Sequence, residues 1–166
     1  MNVTASASGV EIQEVPPDSE SAQYCLANYF AELAERFDAG FDPARSLSPT
    51  HEEFIAPDGA FLVVTLRGAP VGCGGFKRDG PDTAYIKRMW VSADVRGLGL
   101  GRRLLKALED RAEALGYRIV RLETQKSLKE AQQLYRSSGY REVAPFNNEP
   151  YAHHWFEKRL DQSPNG

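Results

Sequence analysis

Cysteine is nearly absent from this 166-residue chain: Cys25 and Cys73 stand far apart and match no metal-binding or redox spacing. Both read as small buried hydrophobes, and no metal site is expected. No apolar run approaches the roughly 20 residues needed to cross a bilayer. The stretch from Met1 to Gly9 lacks the basic and apolar regions of a secretory leader, so the expectation is a cytoplasmic protein without a membrane partner. No charge of one sign dominates: the net charge of -3 gives no general reason to bind nucleic acid. Internal repeats, low-complexity tracts and long linkers are also missing.

What remains is an ordinary globular composition, 42% hydrophobic and 26% charged. It predicts a single domain over residues 10–160, with frayed ends at residues 1–9 and 161–166. Val10 to Val15 reads as a strand ended by Pro16-Pro17. A helix follows from about Ser19, with Ala22, Leu26, Tyr29, Phe30, Leu33 and Phe37 on one face and Gly40 past its end. Ser48-Pro49-Thr50 with Glu52 and Glu53 suggests a second, short helix. Strands are expected at Phe61 to Leu66, Val71 to Phe76 and Thr83 to Val91, with turns at Gly68 to Pro70 and Asp79 to Asp82. A helix from Gly99 to Leu115, a strand from Ile119 to Glu123, a helix from Lys129 to Ser138 and two last strands near Arg141 to Ala144 and His154 to Leu160 complete the order. Strands and helices in this order argue for an α/β fold in which a mixed sheet is flanked by helices.

Arg96-Gly97-Leu98-Gly99-Leu100-Gly101-Arg102 lies where the strand ending at Val91 gives way to a helix. Alternating glycines let backbone N–H groups converge at the positive end of a helix dipole, without Cβ atoms in the way. Such a loop suits a pyrophosphate, and Arg96 and Arg102 add charge for phosphate oxygens. A dinucleotide fingerprint starting at Gly97 would need glycine or alanine where Arg102 stands, and no P-loop lysine and hydroxyl follow the glycines. The basic cluster Arg102, Arg103, Lys106 and Arg111 is interrupted by Glu109, Asp110 and Glu113. It reads as cofactor attraction and a solvated face rather than a nucleic-acid surface.

Arg96-x-x-Gly99-x-Gly101 resembles the acetyl-CoA signature of the GNAT N-acetyltransferases, and the preceding Ile86-Lys87-Arg88-Met89-Trp90-Val91 resembles that family's fourth strand. The resemblance covers about Val10 to Leu160 and implies a mostly antiparallel sheet of six to seven strands with about four helices. It implies acetyl-CoA as co-substrate. Main-chain groups of Met89, Trp90 and Val91 would bind the pantetheine arm, and N–H groups from Gly97 to Arg102 the pyrophosphate. A backbone N–H of the Met89 to Val91 strand would meet the developing oxyanion.

Ala131-x-x-x-Tyr135-x-x-x-Gly139-Tyr140 resembles the family's second motif, whose tyrosine hydroxyl lies near the cofactor sulfur. The resemblance makes Tyr135 the general acid that gives a proton or hydrogen bond to the leaving thiolate. Two departures stand out. Leu128 occupies the place of an asparagine seven residues before the tyrosine, and Tyr85 stands where many relatives carry a glutamate that acts as base. Glu123, Glu149, His153 and His154 are the other candidate bases, and a neutral amine that loses its proton to water would need none of them. The loop Pro145 to Tyr151 suits the wall of a cleft for a small-molecule or peptide amine, with Glu149 placed to attract a cation. Exposed sheet edges make a homodimer a further expectation. The implied activity is acetyl transfer to a primary amine by direct attack. A coenzyme-A-binding module with weak or no chemistry is the alternative.

Overall fold

The computed structural model describes residues 3–5, 9–37, 40–42 and 51–160. Eight strands form one sheet: β1 (Val3–Ala5), β2 (Val10–Glu14), β3 (Ala60–Leu66), β4 (Ala69–Arg78), β5 (Thr83–Val91), β6 (Ile119–Thr124), β7 (Arg141–Val143) and β8 (His154–Arg159). Their spatial order is β1-β2-β3-β4-β5-β6-β8-β7. Three α-helices are found among the described residues: α1 (Glu20–Arg36), α2 (Leu100–Ala114) and α3 (Lys129–Ser137).

The element order agrees with the sequence pattern, and the differences are local. β1 falls in the stretch expected to fray, as does Gly9, whose carbonyl accepts from the Arg67 N–H at 2.9 Å; the other residues of that expectation at the two ends lie outside the described residues. So do Ser48, Pro49 and Thr50, and the expected second helix is represented by a 3-10 turn, His51–Phe54. Only two residues, Arg67 and Gly68, link β3 to β4, with φ of 51° and 85°. Left-handed backbone at both positions matches the twist of a tight hairpin, so the chain reverses earlier than the Gly68 to Pro70 pattern suggests.

Alternation along β3 loads both faces of the sheet. Leu62 and Val64 join Leu104, Leu105 and Leu108 of α2 in one core, while Phe61 and Val63 join Ala22, Cys25 and Leu26 of α1 in the other. Both cysteines are free and buried in this second core. α1 starts where the Ser19 hydroxyl accepts from the Ala22 N–H at 3.3 Å. The sheet's outer strands, β1 and β7, have three residues each, which leaves little edge to recruit another strand.

One relationship in the sheet makes room for a ligand. All neighbouring strands are antiparallel except β5 and β6, which run parallel and pair only from Thr83 to Tyr85. Beyond Tyr85 they separate, so from Ile86 to Val91 no strand among the described residues pairs with β5 on its β6 side. Backbone groups left this way need another partner.

Candidate active site

The gap between β5 and β6 opens into two adjoining spaces. The larger, of about 520 Å³, runs from Tyr135 on α3 along Met89, Trp90 and Val91 of β5 to the glycine loop. The smaller, of about 110 Å³, lies beneath α1 and is lined by Lys87, Arg88, Glu123, Glu149 and a group of aromatic rings. Tyr29, Met89, Leu128 and Tyr135 line both, so these side chains stand at the junction.

The loop's conformation follows from its glycines. Gly97 and Gly99 have φ of 93° and 75°, which other residues seldom adopt, and no atom lies within 4 Å of where a Cβ would stand on either. Gly99 is the N-cap of α2 and offers no side chain to the free N–H groups of the first turn, and no acid sits in that turn. An anion can therefore approach the positive end of the helix. A Cβ on Gly101 would stand 3.3 Å from Leu134, so its absence lets α2 pass close to α3.

Of the residues expected to bind the cofactor, Met89, Trp90, Val91, Arg96, Gly97, Gly99, Leu100, Gly101 and Arg102 line the larger cleft. Leu98 does not; its side chain is 61% exposed. The two arginines are held by neighbours. Arg96 donates to the Glu32 carboxylate at 2.7 Å and to the Val91 carbonyl at 3.1 Å. Arg102 donates to the hydroxyls of Ser137 and Ser138 at 2.8 and 3.1 Å. The rest of the basic cluster is also engaged, Lys106 with Asp110 and Arg111 with Glu14, while Arg103 is half-buried.

Tyr135 is buried against Tyr140 and Phe156, at ring distances of 6.0 and 5.8 Å. Burial raises its pKa above the ordinary phenol range, and the charge of Glu123 adds to that. Tyr29, from α1, is raised in the same way, first by burial and then by Tyr135. Two protonated phenols thus face one space. Leu128 precedes α3 without a side-chain cap, and its apolar side chain lines both spaces.

Around the smaller chamber the polar groups form one network. The Tyr85 hydroxyl donates to Glu123, and Asn147 donates to that hydroxyl at 2.9 Å and to Glu123 at 3.1 Å. The carbonyl oxygen of Asn147 accepts from the Trp155 indole at 2.9 Å, which fixes the amide's orientation. Lys87 lies 3.6 Å from Glu123 and 3.5 Å from Glu149. Burial, then Glu123, pushes the Tyr85 phenol far up, so it stays a donor. A carboxylate is therefore present beside Tyr85 after all, delivered by β6 rather than by β5.

His153 and His154 line neither space. His153 accepts from the Lys126 N–H at 3.2 Å, and burial lowers its pKa. His154 pairs with Glu142 at 2.8 Å. The chamber thus gathers Glu123 and Glu149 and leaves both histidines outside. Sequence reasoning missed Lys87, Arg88, Tyr29 and Glu32 as site residues. Two adjacent cations within a central strand are an available signal for the first two, since such positions are seldom charged without a partner or a task.

The geometry agrees with what the chain matches. The model of the Acetyltransferase (GNAT) family matches residues 26–140. The chain belongs to the GNAT acetyltransferase family. An IAA acetyltransferase of Azospirillum brasilense is 40% identical over 123 residues, 72% of this chain and 78% of that protein. A solved GNAT-family acetyltransferase from Staphylococcus aureus has a TM-score of 0.77 at 20% identity, covering 92% of this chain and 99% of that one. An aminoglycoside 6'-N-acetyltransferase complexed with coenzyme A has a TM-score of 0.68 at 17% identity, covering 92% and 98%. The likeness to these structures extends over nearly the whole fold described above.

Proposed function

We propose that this GNAT protein moves the acetyl group of acetyl-CoA to the primary amine of a small acceptor, by direct attack with both substrates bound together. The observation that carries the proposal is the position of Tyr135 in the shared wall of the two spaces: one ends in an anion cradle and the other holds carboxylates. The coenzyme A bound by the structurally similar aminoglycoside acetyltransferase supports the reading of the larger cleft.

The residues present fit the cofactor. The uncapped first turn of α2 and the open glycine loop receive pyrophosphate, with Arg96 and Arg102 at its flanks. The unpaired side of β5 offers backbone groups to the pantetheine amides. When bound, acetyl-CoA supplies an acyl group attached to a thiolate leaving group. An N–H of the Met89 to Val91 segment holds the carbonyl oxygen as negative charge develops on it. Glu123 and Glu149 face the acceptor amine and take its proton, with Lys87 fixing both carboxylates.

Tyr135 gives the departing sulfur a hydrogen bond. A thiol ionises near pH 8.5, whereas burial lifts this phenol above its usual value of about 10. Complete proton transfer to sulfur is therefore uphill. Stabilisation without full transfer is the role left to the phenol.

The test is calorimetric titration of acetyl-CoA into wild type and into Gly99→Glu/Gly101→Glu, with folding of both verified by circular dichroism. Binding by wild type alone supports the cradle, and thiol release on adding amines supports transfer. Absence of binding by wild type overturns the proposal. A second reading, a coenzyme-A-binding module without efficient chemistry, draws on Leu128 at the head of α3 and on the commitment of the Tyr85 hydroxyl to Glu123. Tight binding with no turnover across an amine panel would favour it.

A further inference from the structure

The smaller chamber is lined by both signs of charge: Lys87 lies against Glu123 and Glu149, and Arg88 stands beside it in β5. β5 has an irregular register with β4 at this point: Cys73 pairs with Trp90 and Gly75 with Lys87, so Arg88 and Met89 together oppose Gly74. This bulge interrupts the strand's alternation, so that Lys87 and Arg88, consecutive in β5, both line the chamber. Lys87 reaches Glu123 and Glu149 near β6 and the Asn147 loop. Arg88 turns under α1, where its guanidinium lies 5.6 Å from the ring centre of Phe30 and 5.2 Å from that of Phe54.

The backbone of Arg88 has a φ of 60°. Left-handed backbone at a non-glycine residue is strained and marks a place where the surroundings, and often function, demand it. Here it aims a permanent cation into the chamber wall. Apolar rings complete the lining: Phe37, Phe41 and Tyr151 pack on one another with centroids 4.7 to 5.7 Å apart, and Phe30 stacks on Phe41 at 5.9 Å.

Charge balance selects among amines. Lys87 and Arg88 offset Glu123 and Glu149 in sum; Lys87 lies against both acids, so that cluster keeps one net negative charge, while the Arg88 guanidinium packs on Phe30 and Phe54. A simple alkylammonium would add an unmatched positive charge to a largely dry space, at a desolvation cost. An occupant with one charge of each sign keeps the sum at zero and meets both poles. The ring wall and the volume of about 110 Å³ suit a compact apolar body.

Resting on the transferase reading above, we propose that the acceptor is a free α-amino acid with an apolar side chain. Its carboxylate is received by Arg88, its amino group faces Glu123 and Glu149, and its side chain lies against Phe30, Phe37, Phe41 and Tyr151. The fork of Arg88 suits a carboxylate in two-point contact, which a lysine cannot reproduce.

Matched acceptors test this. Thiol release from acetyl-CoA is measured with leucine against isoamylamine and with phenylalanine against phenethylamine, pairs that differ only in the carboxylate. A charge-assisted contact predicts that each amino acid exceeds its partner by roughly 10- to 100-fold in kcat/KM, mostly through KM. In Arg88→Gln the ratio falls toward one, and in Arg88→Lys it lies between. Turnover of the bare amines as good as or better than that of the amino acids in wild type overturns the amino-acid assignment and leaves acetyl transfer intact. Should no amine release thiol, the transferase reading fails, and calorimetric titration of leucine into the protein saturated with coenzyme A decides the present one. Heat of binding that isoamylamine does not reproduce supports it, and no heat overturns it.

Discussion

The ammonium of Lys87 stands 3.5 Å from the carboxylate of Glu149, and the two side chains are only 10% and 4% exposed. The same ammonium lies 3.6 Å from Glu123, so one cation holds two buried acids together. Replacing it with an apolar chain leaves both acids buried without their shared counter-charge. Removing one partner of a buried ion pair costs about 3–5 kcal/mol. Lys87→Met should therefore lose stability of that order in urea unfolding, whereas Lys106→Met, which breaks an exposed pair with Asp110, should change it by less than about 1 kcal/mol.

Tyr135→Phe removes the hydroxyl at the junction while keeping the ring between Tyr140 and Phe156. If the phenol stabilises the departing thiolate by a hydrogen bond, the loss is that of one bond to a charged group, roughly 10- to 100-fold in kcat. The affinity for acetyl-CoA, measured by calorimetry, should change much less. A loss confined to KM would remove the phenol from the chemical step.

The cleft proposed for the cofactor was legible in the sequence because its lining is local. Gly97, Gly99 and Gly101 lie in one short loop beside the larger cleft, and their spacing carries its open geometry. The strand before them and the helix after them follow from periodicity, and Tyr135 sits within a single helical pattern. The chamber proposed for the acceptor is assembled from distant places: Tyr29 and Phe30 from α1, Lys87 and Arg88 from β5, Glu123 from β6, and Asn147 and Glu149 from a loop. Which of these meet depends on the parting of β5 and β6 and on the bulge at Arg88, neither of which has a marker in the residue order. Arg96 shows the same limit. Its place in the loop pattern suggests a phosphate ligand, yet the side chain also answers to Glu32, distant in sequence.

Glu32 bears on affinity for that reason. Its carboxylate lies at the larger cleft, binds Arg96 at 2.7 Å and accepts from the Trp90 indole at 3.3 Å. A negative charge beside the phosphate cradle opposes an anionic ligand and holds back a cation that could serve it. Glu32→Gln keeps an acceptor for the indole but drops the charge. Acetyl-CoA should then bind about two- to fivefold more tightly at low salt, the worth of a partly exposed ion pair, with the difference shrinking as salt is added. Weaker binding would mean that Glu32 instead positions Arg96 for the phosphate.

Five phenols, those of Tyr29, Tyr85, Tyr117, Tyr135 and Tyr140, are raised above the ordinary tyrosine value, in each case first by burial. In the unfolded chain they ionise near pH 10. Above that pH the unfolded state binds fewer protons than the folded one, so stability falls as pH rises. The contribution is fully present below about pH 10. Alkaline titration should show the phenolate absorbance of these residues appearing together with loss of the circular dichroism signal. Smooth ionisation of all seven tyrosines before unfolding would contradict their burial.

Gly59 offers the sharpest steric prediction. A Cβ there would lie 2.0 Å from the Glu53 carbonyl oxygen and 2.6 Å from that of Phe76, both backbone atoms that cannot rotate away. Gly59→Ala must therefore push the 3-10 turn His51–Phe54 off the start of β3. Phe54 would move with it, away from Phe61, whose ring centre is 5.6 Å distant, and from the Arg88 guanidinium above its face. Overpacking of this kind costs about 1–3 kcal/mol, and more where backbone must shift, so the midpoint of thermal unfolding should drop by several degrees. Because Arg88 lines the smaller chamber and not the larger cleft, the proposed function predicts that the folded fraction keeps its affinity for acetyl-CoA while turnover with amines falls. Equal losses in both would show instead that the turn supports the whole sheet and not one wall of the chamber.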